Sequence, residues 1–220
     1  MIEHAKEDGL HLITMDEESS TICPDWQQRM LELLAEVERD CDRGASLVLA
    51  GAGKFFCNGL NLEKVVTLTP DEMAVFSRRM GEIHQRLLKL PCPTVAAVNG
   101  HAFAAGAFLA LSCDYRIMRQ DRGWFSVSEV DVGVPIPPAM MGILHAKLPP
   151  NTTRDAVLTG KRYTADEAIA AGISDGKASL EELLEHAKAL AMQLSTKEPG
   201  IFKMLKQTLF GPVADALVAS

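Results

Sequence analysis

Apolar positions along this chain fall into two alternating rhythms. Gly9-Leu-His-Leu-Ile-Thr-Met15 alternates as a strand does. From Trp26 to Cys41 the apolar residues are Trp26, Met30, Leu33, Leu34, Val37 and Cys41. That spacing predicts a helix with one buried stripe, ended at Arg43-Gly44. Ser46-Leu-Val-Leu-Ala50 is a short apolar run bounded by glycine and reads as a buried strand. The order strand–helix–strand marks an α/β unit with a right-handed crossover. Gly51 to Gly59 reads as a loop or an irregular strand end, after which Asn61 can cap a short helix from Leu62. Residues 71–90 predict a longer helix, with Val75, Met80, Ile83, Leu87 and Leu88 on its apolar side and Pro91 and Pro93 stopping it. Thr94–Val98 is another buried strand, Ala104–Cys113 a buried helix and Asp114–Met118 a returning strand. This makes a second strand–helix–strand unit, with a short strand at Trp124–Val127.

After Pro138 the pattern turns helical, over Ala139–Leu148, Thr152–Leu158, Ala165–Ala171, Leu180–Leu194 and Ile201–Phe210. Thr164-Ala-Asp-Glu167 and Ser179-Leu-Glu-Glu182 match the capping box. Residues 138–220 therefore read as a helical covering layer or oligomer contact, in the same structural domain as residues 1–137.

Three segments could carry chemistry. At Gly100–Gly106 a strand ends among small residues and a helix opens near Ala105, so free N–H groups and a helix dipole could meet an oxygen. The alternative is that Ala104, Ala105 and Gly106 only permit close helix–sheet packing. Cys57-Asn58-Gly59-Leu60 follows the same logic, with the Leu60 N–H facing a cavity, or is an ordinary glycine turn. Glu129 lies among Val127, Val130, Val132 and Val134, a stretch that reads as buried strand. There it is either buried for a purpose or on a solvent face shared with Asp131. A carboxylate that takes a proton, and paired N–H groups that hold the resulting oxyanion, suffice for proton transfer beside a carbonyl.

Composition narrows the partners. The 220 residues are 47% hydrophobic and 23% charged, with a net charge of −7, which gives no sign of a nucleic-acid or anionic-membrane partner. No apolar run approaches transmembrane length. Cys23, Cys41, Cys57, Cys92 and Cys113 are widely spaced without a C-x-x-C pair. The charged N-terminus and a C-terminus ending Val218-Ala-Ser220 carry no targeting pattern, so the expected setting is reducing and cytoplasmic. The histidines show no metal-ligand spacing, and Cys57 reads as core filler rather than a nucleophile.

Taken together and in order, these segments resemble the crotonase superfamily, the enoyl-CoA hydratase/isomerase group. The resemblance runs from about Leu10 to Ala178. It rests on Gly53-Lys-Phe-Phe-Cys-Asn-Gly-Leu-Asn-Leu62, Leu90-Pro-Cys-Pro-Thr-Val-Ala-Ala-Val-Asn-Gly-His-Ala-Phe-Ala-Ala-Gly106, Cys113-Asp-Tyr-Arg-Ile-Met118 and Ser128-Glu-Val-Asp-Val-Gly-Val-Pro135. The stretch from Asp121 to Pro137 looks most like the short plant-type Δ3,Δ2-enoyl-CoA isomerases. The resemblance implies an α/β spiral of ββα repeats with a C-terminal helical region that forms trimers or dimers of trimers. It implies an acyl-CoA thioester as substrate, no separate cofactor, and a place in fatty-acid β-oxidation. The oxyanion hole would be the N–H groups of Leu60 and Ala105. Backbone from Phe56 to Leu62 would meet the adenine, and Lys54 and Lys203 the CoA phosphates.

Two departures bear on the reaction. Where hydratases carry a glutamate in the helix after the second turn, this chain has Phe108, while the second glutamate position matches at Glu129. Asn61 replaces a common Asp, and Ala104-Ala105-Gly106 a glycine run, neither of which removes a backbone donor. One glutamate can shuttle a proton from C2 to C4, so the resemblance implies isomerisation of a 3-enoyl-CoA to the 2-trans-enoyl-CoA. The alternatives are a hydratase or another crotonase reaction such as thioester hydrolysis, and a non-catalytic acyl-CoA-binding homologue.

Overall fold

The computed structural model describes residues 2–17 and 20–219; Ser220 of the C-terminus discussed above lies outside the described residues, as do Met1, Glu18 and Ser19. The chain opens with strands Ile2–Glu7 (β1) and Leu10–Met15 (β2), followed by helix Pro24–Asp40 (α1). A two-strands-then-helix unit then repeats. Ser46–Gly51 (β3) and Phe55–Cys57 (β4) lead to Leu62–Val65 (α2) and Pro70–Lys89 (α3). Thr94–Val98 (β5) and His101–Phe103 (β6) lead to Ala105–Ser112 (α4). Tyr115–Arg119 (β7) and Phe125–Ser126 (β8) lead to Glu129–Val132 (α5). In the three repeats after β1 and β2, the first strand joins one sheet and the second joins another. The larger sheet runs β1-β2-β3-β5-β7 and ends on Gly176–Ala178 (β9); the smaller runs β4-β6-β8. All pairings are parallel except β1 with β2. This is a spiral of ββα turns.

The remaining helices are Pro138–Lys147 (α6), Pro150–Thr159 (α7), Ala165–Ala170 (α8), Leu180–Ser195 (α9) and Pro199–Ala216 (α10). The inner strands β3 and β5 of the large sheet are buried on both faces. Ile13, Leu47 and Leu49 join the main core with α1 and α3, whereas Val48, Val95, Leu183, Ala187 and Ala191 form a second cluster under α9. A parallel sheet covered on both sides explains why its strands read as unbroken apolar runs. Helix starts follow their local chemistry. Thr69 with Glu72 and Thr164 with Glu167 close full capping boxes, each cap contributing about 1 kcal/mol. Ser179 accepts from the Glu182 N–H and donates its hydroxyl to the Glu182 carboxylate.

Helix α10 is tied inward by a buried ion pair. Lys206 Nζ lies 2.7 Å from Asp114 Oδ2 and donates to the Cys92 carbonyl at 3.2 Å. The same carboxylate oxygen accepts from the Thr94 N–H and hydroxyl at the start of β5. Sequence expectation and structure part at several points. The charged segment Ile2–Glu7 is an edge strand. The segment 51–59, read as a loop or an irregular strand end, contains β4, and the second turn contains β6. The region after 137 is not helical throughout, since β9 pairs with β7.

Candidate active site

Two turns from successive spiral units meet because glycines remove the side chains between them. Gly59, at φ +85°, would place a Cβ 3.2 Å from the Phe103 carbonyl and 3.4 Å from Ala104 Cβ. Gly106 lies so close to β4 that a Cβ would sit 2.1 Å from the Cys57 carbonyl oxygen. The backbone groups around both turns are committed. The Asn58 N–H donates to Ser20 O at 2.6 Å, the Ile22 N–H to Gly59 O at 2.8 Å and the Asn61 N–H to Ile22 O at 2.8 Å. On the other side the Ala104 N–H donates to Ser126 O at 3.0 Å, and the Ala104 carbonyl accepts from Ala107 and Phe108. Between these, the N–H groups of Leu60 and Ala105 have no backbone acceptor among the described residues, and both residues form walls of one cavity. Ala105 is also the first residue of α4, where the helix leaves its N–H groups unpaired and its dipole adds positive potential.

The turn before α4 is strained. Ala104 has φ 49° and ψ −121°, the first corner of a type II′ turn, a conformation dominated by glycine. Such a backbone costs of order 1–3 kcal/mol for a residue with a side chain.

The cavity encloses about 610 Å³. One wall is apolar, formed by Met73, Phe76 and Met80 of α3 with Met140 of α6 and Leu217. Phe108 faces it one turn along α4 from Ala105 and is 2% exposed. Glu129 lines the opposite side and is 8% exposed. Its Oε2 has no hydrogen-bond partner. Burial holds the Glu129 carboxyl above its usual pKa, partly offset by its own backbone N–H. An acid in this setting is a stronger base when ionised and a poised donor when protonated.

The local structure around Glu129 corrects the strand expectation. Residues 129–132 form a single helical turn, closed by Gly133 at φ 68°. Val130, Val132 and Val134 are exposed, so the stretch is not a buried one. The helical turn also separates the acids: Glu129 is buried, whereas Asp131 is exposed at the cavity rim. The shared-face reading of Glu129 and Asp131 therefore fails.

The other expected residues divide by what their atoms do. Asn58, Leu60, Leu62, Ala104, Ala105, Phe108 and Glu129 line the cavity. The Phe56 and Cys57 side chains are fully buried in the core. Burial pushes the Cys57 thiol up to about 12, which leaves it unreactive. Gly59 and Gly106 act through the absence of a side chain. Asn61 caps α2 by accepting from the Lys64 N–H, and donates to the Thr21 hydroxyl at 3.1 Å. Lys54 is exposed, with Nζ 5.2 Å from the Phe55 ring centre, and Lys203 is exposed on α10; neither lines the cavity. Arg162 was not anticipated. It lines the cavity, with its guanidinium carbon 5.7 Å from the Phe103 ring centre and 5.4 Å from that of Trp124. Among the described residues no group of three or more His, Cys, Asp or Glu side chains could hold a metal ion.

A ββα spiral with paired free N–H groups and a buried glutamate at one cavity is the arrangement that the resemblance to the crotonase superfamily implies. Residues 5–220 match the family model for enoyl-CoA hydratase/isomerase, and the chain belongs to that family. It is 36% identical over 200 residues to enoyl-CoA delta isomerase 3 of Arabidopsis thaliana, covering 88% of this chain and 84% of the relative. It is 36% identical over 183 residues to the peroxisomal enoyl-CoA delta isomerase 2 of the same plant, covering 80% and 76%. Among solved structures, the apo form of an enoyl-CoA isomerase from Mtb superposes with a TM-score of 0.90 at 27% identity, covering 99% of this chain and 94% of that one. An enoyl-CoA hydratase from Mycobacterium marinum superposes with a TM-score of 0.90 at 29% identity, covering 99% and 95%.

Proposed function

We propose that this protein moves the double bond of a 3-enoyl-CoA to the 2-trans position. The observation that carries the reading is one buried carboxylate with an unpartnered oxygen, in a cavity with two unpaired backbone N–H groups and a phenylalanine at the second-acid position. The thioester oxygen binds the N–H groups of Leu60 and Ala105. Glu129 removes a proton from C2, and the electron pair moves onto that oxygen to give a dienolate. The protonated Glu129 then returns the proton at C4 as the C2–C3 double bond forms and the carbonyl is restored. No atom is gained or lost, and no cofactor beyond the CoA of the substrate is required. The apolar wall of α3 and α6 receives the acyl chain and keeps water from the dienolate. The plant relatives named enoyl-CoA delta isomerases support this choice.

The test is turnover of 3-hexenoyl-CoA, followed at the absorbance of the conjugated thioester. Glu129→Gln should lower the rate by roughly 10²–10⁴, the usual contribution of a general base. Near-normal turnover would remove Glu129 from the mechanism. Crotonyl-CoA should be hydrated poorly, because Phe108 offers no second acid to hold and activate water. A hydratase would have to recruit Asp131, the other carboxylate lining the cavity among the described residues. Efficient hydration abolished by Asp131→Asn would establish that reading instead. Binding of acyl-CoA without any turnover would mark a non-catalytic homologue.

Self-association is part of the proposal. Ile201, Met204, Leu205 and Leu209 are more than half exposed and recur on one face of α10. An apolar stripe of this kind suits a homotrimer or dimer of trimers, which the mass in solution would read. Five buried free cysteines fit a reducing, cytoplasmic setting.

A further inference from the structure

Strand β1 is the edge of the large sheet, and β2 is its one neighbour there. Two histidines tie it further. His4 of β1 and His11 of β2 stack with ring centres 5.2 Å apart, and His4 Nε2 lies 3.0 Å from His11 Nδ1. The outer nitrogens each meet an acid of α1. His4 Nδ1 is 3.3 Å from Glu36 Oε2, and His11 Nε2 is 3.1 Å from Asp40 Oδ2, close enough for charge attraction though not aligned as a hydrogen bond. The four groups form one row, carboxylate–imidazole–imidazole–carboxylate, across two strands and a helix. Lys6 of β1 also holds Asp40 Oδ2, at 2.7 Å, and Arg43 acts on the same carboxylate from beyond α1. His11 is 1% exposed, so solvent cannot replace its partners.

The number of protons limits what this row can hold. A bond between two imidazoles needs one bare nitrogen and one that carries hydrogen. With both rings neutral, one hydrogen lies between them and one points to an acid. The remaining outer nitrogen then turns a lone pair toward the other acid. One added proton removes that repulsion, because both outer nitrogens carry hydrogen and the inner bond survives. A second added proton puts hydrogen on both inner nitrogens, and the rings must part. Burial and the charge of His4 hold His11 below its usual pKa of 6.5, with Asp40 opposing them.

We propose that His4 and His11, set between Glu36 and Asp40, form a proton-operated latch on β1. The docked strand holds one shared proton, and a second proton frees the strand from α1. The docked row binds that second proton more weakly than separated histidines do. Acid therefore drives opening: docking is fully favoured above about pH 6.5, the ordinary histidine value, and is lost as pH falls below it. The rest of β1 resists little, since Glu3, Ala5, Lys6 and Glu7 are exposed and an edge with few buried contacts opens at low cost.

The experiment labels the histidine rings of the full chain and follows them by NMR from about pH 8 to about pH 4.5, a range that spans histidine titration. Amide exchange across Ile2–Met15 is read at each pH. In wild type the His4 and His11 signals should move together in one step, as groups sharing a proton do. A second step at lower pH should coincide with faster exchange across β1. In His4→Gln the opposing cation is gone, so His11 should take its proton about one pH unit or more above the second step of wild type. Exchange across β1 should then lose its dependence on that step. A pair with a merely structural role would speed exchange in His4→Gln equally at every pH, which would overturn the proposal. So would His4 and His11 titrating independently in wild type with β1 protected throughout. The wild-type titration needs no variant and decides the matter even if His4→Gln folds poorly.

Discussion

Replacing Ala104 by glycine should make the protein more stable while leaving the site intact. Ala104 holds φ 49° and ψ −121°, where a Cβ crowds its own backbone. Removing that Cβ recovers roughly 1–3 kcal/mol of strain. Against this, glycine adds conformational freedom to the unfolded chain and costs about 0.4–1 kcal/mol. Taken at the middle of both ranges the balance is a gain of about 1.3 kcal/mol, which corresponds to a rise in Tm of roughly 3–5 °C for a domain of this size. Thermal unfolding followed by circular dichroism at fixed protein concentration reads it directly. Turnover of 3-hexenoyl-CoA should change little, because glycine adopts the same turn and the Ala105 N–H stays where it was. A lower or unchanged Tm would refute the reasoning, for it would mean that the Ala104 methyl packs well enough to offset the strain. Ala104→Val should behave in the opposite way, since a β-branched residue tolerates this region worst.

The remaining predictions concern the reacting groups. Glu129 has its pKa raised from the usual 4.5 by burial, so the folded state binds this proton more tightly than the unfolded state. Ionising it therefore costs stability, a cost absent below about pH 4 and complete once pH exceeds the raised value. Glu129→Gln should unfold at a higher temperature than wild type at pH 7, with the difference closing on acidification; a difference independent of pH would count against a desolvated carboxylate. Isomerase activity should rise with pH through the same raised value, and a rate flat from pH 4 to 7 would contradict Glu129 as the base. Ala105→Gly should remain active, whereas Ala105→Val should crowd the thioester oxygen and lose roughly 10²–10³ in rate while staying folded, the cost of one oxyanion donor. In a complex with an acyl-CoA analogue the thioester oxygen should lie about 2.7–3.2 Å from both Leu60 N and Ala105 N; an oxygen turned away from them would refute the hole.

Legibility in the sequence followed the size of the buried face. Helices α1 and α3 repeat an apolar stripe over several turns and end at glycine or proline, so little else fits them. The β3 and β5 strands were readable because both faces are covered. Strand β1 was missed because an edge strand can leave Glu3, Lys6 and Glu7 in solvent and still pair along β2. The small sheet was hard to see because β4, β6 and β8 have two or three residues each, too few for a period. Around Glu129, the β-branched valines gave strand propensity to a segment that makes one helical turn with its valines exposed. The turns at Leu60 and Ala105 were legible through glycine and their order, but their approach depends on Gly59 and Gly106 touching residues of another spiral unit. Arg162 carried no local signal, since the rings it lies over are Phe103 on β6 and Trp124 just before β8.

The way Gly59 abuts Ala104, and Gly106 abuts Cys57, has a consequence for how such a scaffold can change its chemistry. In the proposed reaction, the part that would stabilise the oxyanion is main chain, held by contacts between main-chain atoms. The part that would move the proton is the Glu129 side chain, with Phe108 on a separate helix where a second acid could stand. The two can therefore drift independently: exchanging an acid for an apolar residue alters which bond is made without disturbing the place where negative charge collects.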